Sequence, residues 1–302
     1  MLPTQQGTFR LFRFAGINVF VHWTWFLAAV VLIQVRSGNY SSIVWNVYEY
    51  LALFAIVTLH EFGHALACRS VGGRAKEIVL WPLGGVAYVE PPPRPGAQLW
   101  SIAAGPLVNV VLVPLLYLVA IQTSQAPGNV SELVRSVFFT NLILLIFNLL
   151  PVYPLDGGQI LRSILWFFVG PLKSLKATAI LGFVGVAGFL ALAFWLRSVW
   201  FGVMTAFIAV RCWKGYQLAQ ALTRITTAPR RTGYACPACR AAPPQGAFWG
   251  CGNCRTDFDT FANQATCPKC ATQFTVTRCV DCGTATPIAD WSLSAPDELP
   301  AQ

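Results

Sequence analysis

The stretch LHEFGHALA, residues 59–67, sets two histidines and a glutamate inside a run that otherwise has the composition of a membrane helix. The surrounding chain avoids charge: 55% of its 302 residues are hydrophobic and 11% charged, against roughly 25% charged in soluble domains. An ionisable group at membrane depth is costly and marks a functional site by default, so Glu61 needs partners. His60 and His64 are four residues apart, which on a helix stacks both imidazoles on one face, suited to a single cation. Glu61, displaced by one position, cannot be a third in-line ligand but can reach a water on the metal.

A catalytic zinc commonly takes three protein ligands and leaves one position open. Upstream of the cysteine-rich tail the acids are Glu49, Glu61, Glu77, Glu90, Glu132 and Asp156. Four of them fall at expected span ends or in loops, which leaves Asp156 as the remaining carboxylate near membrane depth. It lies in NLLPVYPLDGG, residues 148–158, which ends the fourth expected span: Pro151 and Pro154 break the helix and Gly157 and Gly158 permit close approach. Irregular backbone at that depth is tolerated where it is buried in protein or lines a wet cavity. The alternative is an Asp156 that caps the following helix, which does not exclude ligation.

Working outward, six apolar segments long enough to span a bilayer are expected at 18–34, 49–67, 99–121, 133–150, 177–196 and 199–218. The expected fold is an all-α polytopic membrane protein with a short membrane-surface β-hairpin, formed by EIVLW (77–81) and GVAYVE (85–90). LRSILWFFVGPL, 161–172, is too short to span and reads as a half-helix. Gly182, Gly185 and Gly188 give the fifth segment a small packing face, and only Arg197 and Ser198 separate it from the sixth. Lys and Arg cluster before the first span and after the second, fourth and sixth, which places both termini in the cytosol. RLFRFAGINVFVHWTW, 10–25, has no small-residue cleavage pattern and reads as retained.

HEFGH, GPLVN (105–109) and NLLPVYPLDGG, in this order, resemble the motifs of the site-2 protease family, intramembrane zinc metalloproteases. FRFAGINVFVHWTWF (12–26) and WPLGGVA (81–87) are similar to that family too, so the likeness covers residues 8–218. The resemblance implies a six-helix core in which His60, His64 and Asp156 bind zinc and Glu61 is catalytic. It also implies that Asn148 bonds a substrate carbonyl or oxyanion, that Asn109 supports the site, and that an unwound substrate joins the strand edge in 77–90. The implied activity is hydrolysis of a peptide bond in or near a transmembrane segment of a substrate in the lipid bilayer of a prokaryotic plasma membrane, releasing a cytosolic domain. His22 is expected as an interfacial histidine and Cys68 as a small packing residue. A zinc transporter or sensor, and a tethered regulator with an inactive core, are the competing classes.

The tail holds four CxxC pairs: Cys236 and Cys239, Cys251 and Cys254, Cys267 and Cys270, Cys279 and Cys282. A reducing cytosol keeps such thiols free for metal. Each two-pair set fits one closed tetrathiolate zinc, as in tandem zinc ribbons. One catalytic and two structural zinc ions are therefore expected. The resulting domains are a protease core at 1–218, a linker at 219–234, the ribbons at 235–291 and a disordered tail at 292–302. Arginines and lysines of the tail are matched by acids, so a protein partner is expected there rather than nucleic acid.

Overall fold

Ile17, Val19 and Val21 are all buried while Asn18 and Phe20 between them are not, the alternation of a strand rather than a span. In the computed structural model, which describes residues 7–81, 84–126, 128–153 and 155–293, these residues belong to a four-stranded sheet. Pro82, Leu83, Pro154 and residues 294–302 of the expected disordered tail lie outside the described residues, as does the side chain of Trp200. The chain divides into two units, 1–216 and 217–302.

The sheet of the first unit orders its strands β1 (Thr8–Phe14), β2 (Ile17–His22), β3 (Arg74–Trp81) and β4 (Gly84–Glu90). Two antiparallel hairpins, β1–β2 and β3–β4, are joined by a parallel β2–β3 pairing. Ala15 and Gly16, at φ 47° and 74°, make the tight first turn, the left-handed pair that a two-residue hairpin turn requires. The expected hairpin at 77–90 is thus half of a larger sheet. The expected first span is corrected: 18–34 is strand β2 followed by helix α1 (Thr24–Val35), only 12 residues long. A short apolar run does not distinguish strand from helix by composition, and here β-branched alternation decided it.

Helices α2 (Ile43–Ser70), α3 (Pro95–Thr123), α4 (Asn129–Leu149) and α5 (Asp156–Trp195) are, among the described residues, those long and apolar enough to cross a membrane. Helix α6 (Val199–Thr227) includes Arg211 and Lys214 and falls outside that group. Helix α2 begins six residues before the expected second span, capped by Ser42. Glu49 therefore lies in the second turn of the helix, buried and paired with Arg36 and Ser136. Helix α5 breaks at Gly170, whose φ of 80° and ψ of 172° are non-helical, so 161–172 is the end of a first segment and the start of a second.

The inner face of the sheet sets Ile17, Val19, Val21, Ile78 and Leu80 against Val57, Phe62, Ala65 and Cys68 of α2. That contact holds β3 and β4 over the half of α2 that carries the histidines. A second cluster joins Val152 to Phe189 of α5 and to Ile208 and Cys212 of α6. Gly182 is met there by Cys212 and Gly185 by Val152, whereas Gly188 has open space beside it.

The second unit contains two short antiparallel pairs, β5 (Trp249–Gly250) with β6 (Asp257–Phe258) and β7 (Val276–Arg278) with β8 (Ala285–Pro287), and a helical turn at Ile288–Trp291. Trp249, Phe261 and Trp291 form its aromatic core. Arg230 and Arg231 are fastened to Asp281 and Asp259 at 2.7 Å each.

Candidate metal centre

His60 and His64 both face α3 from the buried side of α2, and α5 begins beside them with Asp156. His60 Nε2 lies 3.0 Å and His64 Nε2 3.4 Å from Asp156 Oδ2, and the two Nε2 atoms are 3.1 Å apart. His64 Nδ1 donates to the Ser101 carbonyl at 2.9 Å, and His60 Nδ1 to Asn109 Oδ1 at 2.6 Å. With both Nδ1 atoms protonated, two bare nitrogen lone pairs and a carboxylate oxygen converge, an arrangement that repels itself unless a cation joins it. Zinc bonds of about 2.0–2.1 Å in tetrahedral geometry separate neighbouring ligand atoms by about 3.3 Å, so the three donors fit that ion.

Small residues create the space. A side chain at Gly105, the first residue of GPLVN, would collide with the His64 imidazole, and one at Gly63 would strike the Ala104 carbonyl. Helices α2 and α3 therefore approach backbone to backbone at the histidines. Asp156 opens α5, where the N-terminal end of the helix dipole favours a carboxylate. Leu155 is the capping residue and no side chain caps this end. Asp156 is thus turned to the histidines rather than used as a cap.

Glu61 is buried and outside the three-donor cluster. Its Oε2 accepts from the Ala87 amide of β4 at 2.9 Å, and a side chain at Gly85 would collide with its carboxylate. Strand β4 is an edge of the sheet, bonded to β3 on one side only. The Ala87 N–H that reaches Glu61 therefore points along the open edge, which places that edge beside the glutamate.

Asn109 is fully buried on α3 and contacts His60 directly. Asn141 of α4, also fully buried, donates from Nδ2 to the Asn109 carbonyl at 3.1 Å and accepts at Oδ1 from Asn109 Nδ2 at 2.7 Å. Sequence reading passed over Asn141, although an amide in the middle of VFFTNLILL, seven residues from Asn148 and so on the same helix face, was a usable signal. Asn148 itself is half-buried on the last turn of α4 and is not part of the three-donor cluster. His22 is buried, its ring stacked on Trp81 at 3.9 Å, and it lies outside the three-donor cluster. Cys68 is buried, with its thiol 3.5 Å from the Arg74 carbonyl, and lies outside the donor clusters found among the described residues.

The eight tail cysteines form two further clusters. Cys236, Cys239, Cys279 and Cys282 make an outer set, and Cys251, Cys254, Cys267 and Cys270 an inner one. The pairing, which the sequence leaves open, is nested: the aromatic core folds the first and last pairs together around the middle two. Sulfur separations of 3.6–3.8 Å match a tetrahedron of zinc–sulfur bonds of about 2.3 Å. Each pair is one repeat of the same turn, in which the first cysteine N–H donates to the carbonyl five residues on, at 2.9 Å in all four. The residue after the second cysteine has positive φ, at Arg240, Arg255, Ala271 and Gly283. Hydrogen bonding to the Thr272 and Thr284 hydroxyls brings the Cys270 and Cys282 thiols down to about 6, favouring the metal-binding thiolate.

Comparison with known proteins agrees with this geometry. Residues 48–127 and 119–192 match peptidase family M50. The zinc metalloprotease MJ0392 of Methanocaldococcus jannaschii is 39% identical over 173 residues, 57% of this chain and 50% of that protein. Stage IV sporulation protein FB of Bacillus subtilis is 34% identical over 148 residues, 48% of this chain and 46% of that protein. This chain thus spans about half the length of these relatives. The solved structure of the site-2 protease from Methanocaldococcus jannaschii aligns with a TM-score of 0.52 at 30% identity, over 69% of this chain and 95% of that one. Family and apolar helices together make the protein an integral membrane protein whose family uses zinc. This chain belongs to peptidase family M50.

Proposed function

We propose that this chain is an intramembrane zinc metalloprotease that hydrolyses a peptide bond within or near a transmembrane segment of a membrane protein. The observation that carries the reading is the convergence of His60 Nε2, His64 Nε2 and Asp156 Oδ2 inside an apolar helical bundle, with Glu61 beside an open strand edge. Zinc held by the three donors supplies Lewis acidity and a water acidified toward neutrality. Glu61 accepts a proton at its carboxylate and returns it to the departing amine. Strand β4 binds the substrate as an added strand, since a transmembrane helix must unwind before its carbonyls are open to attack. Asn148 hydrogen-bonds the scissile carbonyl.

In this reading residues 1–218 form the core, with α6 and the β2–α1 segment completing the membrane-embedded part, and both termini are cytosolic. The product is a released cytosolic domain. The tail at 235–291 holds two structural zinc ions and docks a protein partner, on a linker at 219–234.

Co-expression with single-span membrane proteins tests the activity, comparing the parent protein with Glu61→Gln and Asp156→Ala. Cutting by the parent alone supports it. Equal cutting by all three rejects the assigned roles, and a parent that leaves every candidate intact while binding zinc at the bundle site counts against proteolysis.

A further inference from the structure

We propose that Asn141 is a positioning residue: reading the backbone carbonyl of Asn109, it fixes which way the Asn109 amide faces and so which nitrogen of His60 is free for the metal. The inference rests on the metal-centre reading above and extends it to a residue outside the ligand set.

Hydrogen-bond polarity sets the orientation of each group. A carbonyl oxygen only accepts, so the Asn141 atom 3.1 Å from the Asn109 carbonyl must be its NH2 group. The other end of the Asn141 amide is then its oxygen, and it faces the Asn109 side chain at 2.7 Å. Asn109 must answer with its own NH2, which leaves Asn109 Oδ1 turned to His60 at 2.6 Å. An oxygen there demands that His60 Nδ1 carry the proton, and the lone pair is left on Nε2, beside Asp156 Oδ2. Every step is fixed by the one before, and its origin is a main-chain group of α3 that cannot be reversed.

Without Asn141 the Asn109 amide is free to flip and present NH2 to His60. That orientation favours the other tautomer, which places a proton where the metal bonds. Asn109 and Asn141 are both 0% exposed, so no water takes over the missing contact. His64 needs no such relay, because its Nδ1 faces a main-chain carbonyl directly. The difference explains why one histidine of the pair has a side-chain amide and a second helix behind it.

The test uses the full-length protein in lipid nanodiscs, loaded with zinc and compared by chelator competition. Since the chain has only three histidines, nitrogen-15 histidine labelling reads the His60 tautomer separately. Asn141→Leu should weaken zinc at the bundle site by roughly 10–100-fold, the usual effect of losing an outer partner, and should bring in the Nε2–H form of His60. The double variant Asn109→Asp with Asn141→Leu should recover affinity and tautomer, because a carboxylate is an acceptor whichever way it turns. Should Asn141→Leu not fold, Asn141→Val takes its place, a smaller side chain with neither donor nor acceptor. Unchanged affinity and tautomer in the single variant overturns the proposal. So does a double variant no better than the single one while its tail still holds zinc, since packing alone is then the role of Asn141. These readouts require no substrate cleavage: a parent protein without zinc at His60, His64 and Asp156 removes the metal centre itself, and failure of proteolysis alone leaves the positioning role standing.

Discussion

Glu61 accepts a hydrogen bond from the main-chain amide of Ala87, 26 residues away, and that amide belongs to the unpaired edge of the sheet. The glutamate and the open strand edge are thereby held in one geometry. Proline is tolerated in an edge strand where the missing N–H faces away from its neighbour, so Ala87→Pro should preserve the sheet and delete only this donor. A hydrogen bond to a charged group contributes about 1.5–3 kcal/mol. Cleavage efficiency, kcat/KM, should then fall roughly 10–100-fold with bound zinc unchanged. Unaltered kinetics would separate the edge from the reaction.

The His64 imidazole occupies the place a side chain at Gly105 would fill. Gly105→Ala should therefore displace His64 and empty the bundle site of zinc, while the cysteine clusters, in the other unit, keep theirs. Elemental analysis of the purified variant should show a loss of one zinc per chain relative to the parent. Full zinc content would mean that α2 and α3 separate at no cost to the ligand.

Nested and sequential cysteine pairing make opposite predictions for thiol labelling. In Cys236→Ser the nested arrangement exposes Cys239, Cys279 and Cys282 to alkylation and leaves Cys251, Cys254, Cys267 and Cys270 protected. Peptide mass spectrometry after brief alkylation distinguishes the two. Labelling of Cys251 and Cys254 in place of Cys279 and Cys282 would show sequential pairing and overturn the nested one.

Glu49 is buried at the far end of α2 from the histidines, and its carboxylate takes both Arg36 and the Ser136 hydroxyl. Removing one partner of a fully buried pair costs about 3–5 kcal/mol, but the Arg36 side chain is 43% exposed and can turn to water. Glu49→Leu should thus destabilise the core by about 1–3 kcal/mol, read as a lower unfolding temperature in mild detergent, without changing bound zinc. A stability equal to the parent's would show that the pair is dispensable.

The chemistry of the site was more legible in the sequence than its scaffold. HEFGH and LDGG announce charge where charge is expensive, and the structure brings His60, His64 and Asp156 to one point. Asn109 was legible as part of GPLVN, whereas Asn141 shows in the sequence only through its seven-residue spacing from Asn148, which marks a helix face but names no partner. INVFVH failed for another reason: its pairing with 77–80 joins residues nearly 60 positions apart, and long-range parallel pairing leaves no local trace beyond a short alternation. Helix α2 starts six residues earlier than hydropathy suggests, its first turns carrying Asn46 and Tyr48, and the buried pairing of Glu49 with Arg36 and Ser136 had no local signal. Pairing of the cysteines was equally hidden, because all four turns obey the same local rule and only the packing of Trp249, Phe261 and Trp291 selects partners.

Anomalous X-ray scattering at the zinc edge from crystals of the full-length protein bears most directly on the metal centre. A peak bonded to His60 Nε2, His64 Nε2 and Asp156 Oδ2 is expected, alongside one in each cysteine cluster. Peaks at the cysteines with none between the histidines and Asp156 would contradict it.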